Sequence, residues 1–501
     1  MADWNQITFV ACVRQRKSSM NFLTSLTDWL WSPLVVLALG LGLVFTILTR
    51  GVQIRRIPDM IRHIWKGERS EAGISSFQAL TLTLSSRVGV GNIAGVATAI
   101  AAGGPGALFW MAVMALLGGA TAFIESTLAQ IYKIKSEGTF WGGIPYYLEK
   151  GLRRKWLGVV AASAALALYA VLAPGVQSNA IAASFDQAMG IKPWLTGVVL
   201  VGLLGFVIFG QRGRVVGVAD VLVPFMAIGY IIAALIVLAA NLTEVPAVFL
   251  LVVKSAAGVD SVFGGIVGAA IAWGVRRALF SNVAGVGEGT YGAAAAQVSH
   301  PAKQGLVQAF SIYIDTLFVC TATGFMILVT GNYNVHTESG EHIITHIKGV
   351  EAGPAYTQGA IDSVIPGIGP HFVATAIGLF AFTTLVAFYY IANTSLTYLT
   401  RGVRNESLLH ALRVAMLAMV FYGAVESADI MWAIGDVGYA TLAWINMICL
   451  VFLAKPALIA LRDYENQRKL GVDPVFDPVK LGIDNADYWV SESSPERNPS
   501  M

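Results

Sequence analysis

The sequence predicts an all-α polytopic membrane protein of about eleven spanning helices, and three observations lead there. Of its 501 residues 56% are hydrophobic and 13% charged, with a mean hydropathy of +0.66, whereas a soluble domain devotes about a quarter of its residues to charge. Apolar runs of about 18 or more residues recur along the chain, and lipid offers no partner for backbone N–H and C=O groups, so each run must satisfy its own as a helix. Basic residues, finally, concentrate in alternate connections.

Spanning segments are expected near 31–49, 76–101, 106–132, 156–173, 195–211, 218–240, 263–298, 304–330, 370–399, 407–424 and 430–454. The first twenty residues lack a continuous apolar core ending in small residues, so no cleavable leader is expected. Arg50, Arg55, Arg56, Arg62, Lys66 and Arg69 fill the connection after the first segment, and Lys133, Lys135, Lys150, Arg153, Arg154 and Lys155 the one two segments later. Arg212, Arg214, Lys303, Arg401, Arg404 and the tail residues Lys455, Arg462, Arg468 and Lys469 fall on that same side. Cytoplasmic connections carry the excess of Lys and Arg, which places the C-terminus in the cytoplasm of a cell bounded by a plasma membrane, a bacterial inner membrane. A formal net charge of +3 gives nucleic-acid binding nothing to stand on. Cys12, Cys320 and Cys449 are far apart, a spacing that suits neither zinc nor a disulfide framework, and are read as packing residues.

Two segments carry glycine at a density that loosens a helix: Val88-Gly89-Val90-Gly91-Asn92 in the second and Ser281-Asn282-Val283-Ala284-Gly285-Val286-Gly287 in the seventh. Setting aside the first segment leaves ten, and each interrupted segment then opens a set of five, so the two sets enter the membrane with opposite orientation. The organisation read from this is an N-terminal segment 1–30, a transmembrane domain 31–455 with repeats at about 76–240 and 245–455, and a cytoplasmic tail 456–501. In such folds unwound helices meet at mid-membrane, where free N–H groups face an anion and free carbonyls a cation. Taken singly, a glycine-rich patch is as well explained by close helix packing.

The run FQALTLTLSSRVGVGNIAGVATAIAAGGPGALFWMAVMALLGGATAFIESTLAQIY from Phe77, with GGIPYYLEKGL ending at Leu152, resembles the alanine or glycine:cation symporter family. The likeness resumes at LFSNVAGVGEG, FAFTTLVAFYY and WAIGDVGYATLAWINMICL, and covers most of residues 30–455. It implies a LeuT-type five-plus-five inverted repeat with one extra N-terminal helix, import of alanine, glycine or close relatives, and coupling to sodium. By the same resemblance the amides of Val90 and Gly91 would hold the substrate carboxylate, with Ser86 and Asn92 beside them and Gln177, Thr384 and Phe388 lining the pocket. Sodium would take the carbonyls of Ser85 and Val88 and the hydroxyls of Thr383 and Thr384, since hard cations want oxygen ligands. Without the resemblance, the two threonines read as bonding back to the preceding turn.

Two departures bear on the cargo. Relatives commonly read SNEAG where this chain has Ser281-Asn282-Val283-Ala284-Gly285, so a carboxylate is missing at Val283, and they tend to carry Trp where this chain has Phe388. A differently specific amino-acid transporter of the same fold is therefore the alternative, as is one coupled to protons through Glu288 or Asp315. Ionisable residues inside spanning segments are costly and thus functional candidates: Glu125, Asp220, Arg276, Arg277, Glu288, Asp315 and Asp436, the last a partner for the two arginines. His342 and His346 have the spacing of a helical metal pair, but with His336 they lie in a polar connection and read as solvated. No phosphate-binding loop, HExxH motif or nucleophile with a base at recognisable spacing argues for a pump or an enzyme. No cofactor is expected beyond the coupling ion, and no obligate protein partner besides the bilayer.

Overall fold

The computed structural model describes residues 2–65, 73–136, 138–210, 212–337, 340–403 and 405–492, with side chains from Phe22 onward except at 212–214 and 492. Cys12, Lys66, Arg69, Arg212, Arg214 and Arg404 therefore lie outside the described side chains. Helix α1 runs Ala2–Leu48 and is followed by the short α2 (Val52–Arg55) and α3 (Ile57–Trp65). Next come α4 (Ser76–Arg87) and α5 (Val96–Gly103), the two parts of one interrupted helix, joined through an extended Val88 and a wide π-type turn at Gly91–Gly95. Ser75 starts α4 with a reciprocal capping box to Gln78, which satisfies donors the helix start leaves open.

From here one succession of elements occurs twice. The first is the interrupted helix, α6 (Gly106–Ile131), a hairpin of β1 (Ile134–Ser136) with β2 (Thr139–Trp141), the short α7 (Ile144–Leu152), and α8 (Lys155–Ala167) leading into α9 (Pro174–Met189). Helices α10 (Pro193–Ile208) and α11 (Arg212–Ala240) complete it, and α12 (Val245–Ala256) leads on from there. The second begins with another interrupted helix, α13 (Val267–Asn282) and α14 (Gly289–Ala295), then α15 (Pro301–Ile312) running into α16 (Thr321–Val329). A hairpin of β3 (Asn334–His336) with β4 (His342–Thr345), the short α17 (Pro354–Asp362), α18 (Gly369–Leu399), α19 (Glu406–Val425) and α20 (Ala428–Lys469) follow. Interrupted helix, long helix, hairpin, short helix, long helix: the shared order is the structural form of the inverted repeat.

Among the described residues eight helices are long and apolar enough to cross a membrane, while α10, α12 and the Gly91–Gly103 half-helix are shorter. Several edges differ from the sequence expectation. The segment expected at 31–49 is the second half of the 47-residue α1. The one expected to stop at 173 continues to Met189, because a π-type turn at Leu168–Leu172 delivers Pro174 to the first position of α9, where its missing N–H leaves no bond unmade. The last runs past 454 to Lys469 with Pro456 inside it. The segment expected over 263–298 is helical only from Val267 and breaks after Asn282. His342 lies on strand β4 and His346 just beyond it, so helical metal spacing does not apply there, and among the described residues no group of three His, Cys, Asp or Glu could hold a metal.

At the end of the molecule where α1 meets α20, Asp436 takes Arg276 at 2.6 Å and Arg277 at 3.4 Å, and Arg277 lies over Trp432. At the opposite end the chain after α20 folds back over the bundle. Phe476 and Trp489, the latter on α21 (Asp487–Glu492), are buried there; Trp489 donates to the carbonyl of Gln130 at 2.8 Å. The ring set of Phe140, Tyr488 and Trp489 covers the ammonium of Lys133 at 4.1 to 5.2 Å, and that ammonium also donates to Ala296 O at 2.9 Å. His63 meets the Tyr464 hydroxyl at 2.7 Å, and burial pushes its pKa down to about 4. Burial likewise lowers that of His300, which sits 3.3 Å from Asp463.

Candidate functional site

Around the first break, Val88 is extended and its amide still closes the last turn of α4 on Leu84 O at 2.8 Å. The next two amides have no helical acceptor and take side-chain oxygens: Gly89 N donates to Asn92 Oδ1 at 2.8 Å, Val90 N to Gln177 Oε1 at 3.3 Å. Glycine at 89 is a packing requirement, since a Cβ there would stand 2.7 Å from Thr384 Oγ1 and 3.2 Å from Gln177 Oε1. Gly91 plays the same part toward the other interrupted helix, with Ser281 Cα 3.2 Å from where a Cβ would be. The break thus gathers α9, α18 and α13 around two glycines.

The second break is held differently. Val283 adopts a left-handed backbone (φ 48°), as do Gly285 (φ 84°) and Gly287 (φ 90°). For a β-branched residue this conformation is strained, of order 1–3 kcal/mol, and persists only because its surroundings over-determine it. Asn282 Oδ1 accepts from Ala284 N at 3.1 Å, and Glu125 Oε2 on α6 accepts from Gly285 N at 3.2 Å. Asn446 on α20 donates to both Glu125 (3.2 Å) and Gly285 O (2.9 Å), and is itself fixed by the Tyr147 hydroxyl at 2.5 Å.

The residues expected at the site divide as follows. Gly91, Val90, Gln177 and Thr384 are brought together at the first break. Asn92 turns one face to Gly89 and the other to Asp315, to which its Nδ2 donates at 2.6 Å. Ser281 and Thr316 also donate to Asp315, at 2.9 and 2.7 Å. Ser85 and Ser86 bond back to Leu82 O and Thr83 O, and Thr383 and Thr384 both to Phe380 O, all buried. Each hydroxyl proton is spent on a helix carbonyl, which leaves the oxygen lone pairs as cation acceptors. Phe388 packs on Tyr169 (5.2 Å between centroids), and Tyr169, Tyr439, Phe280 and Trp432 continue an aromatic wall across α8–α9, α20 and α13 toward the Asp436 ion pairs. A separate cleft of about 880 Å³ opens near Tyr389, Asn393, Thr397 and Arg413, and none of the expected site residues lines it.

Of the ionisable candidates, Asp220 is a structural acceptor for Gln78 (2.8 Å) and Thr81 (2.6 Å). Sequence reasoning missed Arg87, wholly buried at the end of α4, which bonds to the Ser311 hydroxyl and to Gln308 O. Its signal was present as a lone basic residue inside an apolar span. Tyr169 and Asn446 carried no such signal.

Along nearly its whole length, residues 16–478, the chain matches the sequence profile of the Sodium:alanine symporter family. It belongs to that family. The symporter is 56% identical over 477 residues to the putative sodium/proton-dependent alanine carrier protein YrbD of Bacillus subtilis (strain 168), covering 95% of this chain and 99% of that one. It is 51% identical over 431 residues to the sodium/proton-dependent alanine carrier protein of Bacillus sp. (strain PS3), covering 86% and 97%. With the probable sodium/glutamine symporter GlnT of Bacillus subtilis (strain 168) it shares 40% identity over 452 residues, 90% and 91% of the two chains. A cargo name thus varies among relatives of this closeness, so the family settles the transporter class and the pocket must decide the cargo. The chain is a multi-pass membrane transporter and not an enzyme.

Proposed function

We propose that the symporter carries small neutral amino acids, alanine and glycine, into the cell with sodium across the plasma membrane, with its C-terminal tail in the cytoplasm. The observation that supports this best is the meeting of Gln177 and Thr384 on Gly89, beside a break whose Val90 amide is bonded only at 3.3 Å. A substrate carboxylate at the Val90 and Gly91 amides would replace that long bond with a charge-assisted one and free Gln177 to donate to it. Ser86 and Asn92 flank that position, and the packed pair of Phe388 and Tyr169 is its aromatic wall, which favours a small cargo side chain. Sodium takes the carbonyls of Ser85 and Val88 with the hydroxyls of Thr383 and Thr384, next to the carboxylate site, so that each ligand raises the affinity for the other.

In this reading eleven helices cross the bilayer, α1 and two units of five at about 76–240 and 245–455. The basic side chains of the tail-bearing end, among them Arg55, Arg56, Lys150 and Arg468, support a cytoplasmic location for it. The Arg276–Asp436–Arg277 cluster then closes the outer side and its exchange accompanies opening. The test is uptake of radiolabelled alanine into proteoliposomes under an inward sodium gradient, an inward proton gradient, or neither. Sodium-dependent accumulation is expected; no accumulation of alanine, with accumulation of a larger neutral amino acid, would reassign the cargo.

A further inference from the structure

Arg87, Glu125, Glu288 and Asp315 are all wholly buried around the two breaks and act on one another electrostatically. One guanidinium against three carboxyl groups leaves two negative charges uncompensated if all are ionised, in a region where an unpaired charge is very costly. Hydrogen bonds distinguish the three acids. Asp315 accepts from Asn92, Ser281 and Thr316. Glu125 accepts from Gly285 N and Asn446 through one oxygen. Glu288, at the start of α14, has no hydrogen-bond partner on either carboxyl oxygen among the described residues.

The groups that face Glu288 are few. Ser86 and Arg87 come from α4, Tyr169 from the wide turn after α8, Asp315 from the π-type stretch after α15, Glu125 from α6, Tyr291 from α14 and Tyr439 from α20. The Tyr169 hydroxyl and Arg87 Nη2 are likewise buried without partners. An ionised Glu288 would need several donors; of the two hydroxyls beside it Ser86 already donates to Thr83 O, which leaves that of Tyr169, whereas a neutral carboxyl asks for less.

We propose that Glu288 is a proton-binding site of the transport cycle, resting on the symporter reading above. In the closed arrangement its carboxyl oxygen carries a proton taken from water. When the two interrupted helices part and water enters, the O–H bond breaks, the proton leaves to that water, and the carboxylate is repaid by Arg87, freed on its Nη2 side. Glu288 joins α14 to Ser86 and Arg87 at the last turn of α4, so its charge state biases how the two interrupted helices sit against each other.

Two measurements test this. Infrared difference spectra of the purified protein at neutral pH should contain a protonated-carboxyl band that Glu288→Gln removes and Glu288→Asp restores at a shifted position, whatever the cargo. In proteoliposomes enclosing a pH indicator, alanine under a sodium gradient should move protons in wild type, and the pH profile of uptake should flatten in Glu288→Gln and shift to lower pH in Glu288→Asp, aspartate being the stronger acid. An unchanged carboxyl band in Glu288→Gln, or sodium-driven alanine uptake whose pH profile is the same in all three proteins, overturns the proposal. Failure of wild type to take up alanine under any gradient sinks the cargo assignment alone, since the infrared band still decides the proton site.

Discussion

The two interrupted helices answer the same physical problem, open backbone groups deep in the bilayer, with different chemistry. At the first break neutral amide side chains, Asn92 and Gln177, accept the free N–H groups, one of them at 3.3 Å. At the second, the carboxyl group of Glu125 does so, and it is locked in turn by Asn446 and Tyr147. A single long hydrogen bond is readily exchanged for a ligand, and a buried network of several members is not. In the proposed function the first break is the loading side of the site and the second its frame. Both are tied at their tail-side ends, where Ile74 N donates to Ala295 O at 3.1 Å and Gln297 N to Ile74 O at 2.9 Å.

The contrast can be broken most forcefully at Glu125. Glu125→Ala strips acceptors from Gly285 N and Asn446 and leaves Arg87 with less compensation, and it should lower stability by about 3–5 kcal/mol, read as a fall in thermal midpoint in detergent. The tail-side anchor titrates. His63 has a pKa lowered from 6.5 to about 4 by burial, so the neutral ring is the one the fold holds. Its contribution is complete above pH 6.5 and is lost as pH falls from there toward 4, amounting to about 3 kcal/mol, and His63→Gln should flatten that acid limb of the stability curve.

At the first break the readout moves from stability to transport. Gly89→Ala forces a Cβ to within 2.7 Å of Thr384 Oγ1 and should cut sodium-driven uptake by about a hundredfold with the protein still folded. Gln177→Ala frees the Val90 amide and should raise the KM for alanine about tenfold while shifting stability by less than about 1 kcal/mol. Smallest of all, Val283→Gly trades relief of the left-handed backbone against lost burial, and its stability should stay within about 1 kcal/mol of wild type.

Much of this was readable in advance where a single period or residue type carries the information. Apolar runs gave the helices, and paired glycine patches gave both breaks and their meeting. Helix ends were misjudged where proline follows a π-type turn, as at Pro174, since local rules stop a helix there and tertiary packing carries it on. Val90, Gly91, Gln177 and Thr384 were nameable because the resemblance covered them; the Glu125–Asn446–Tyr147 clamp was not, because Glu125 lies 160 residues from Gly285 in the break it holds and 321 from Asn446. The buried tail aromatics Phe476 and Trp489 left a faint trace, large apolar rings in an otherwise polar stretch.

The central claim, that amino acid and sodium share one site at the first break, is tested most directly by linkage. Alanine binding to the purified protein should be measured by calorimetry with and without sodium, for wild type and for Thr384→Val. Sodium should tighten alanine binding at least about tenfold in wild type, and that gain should vanish in Thr384→Val, which removes an oxygen beside Gly89. Alanine affinity that is the same with and without sodium in wild type, or a full sodium effect in the variant, would contradict the account.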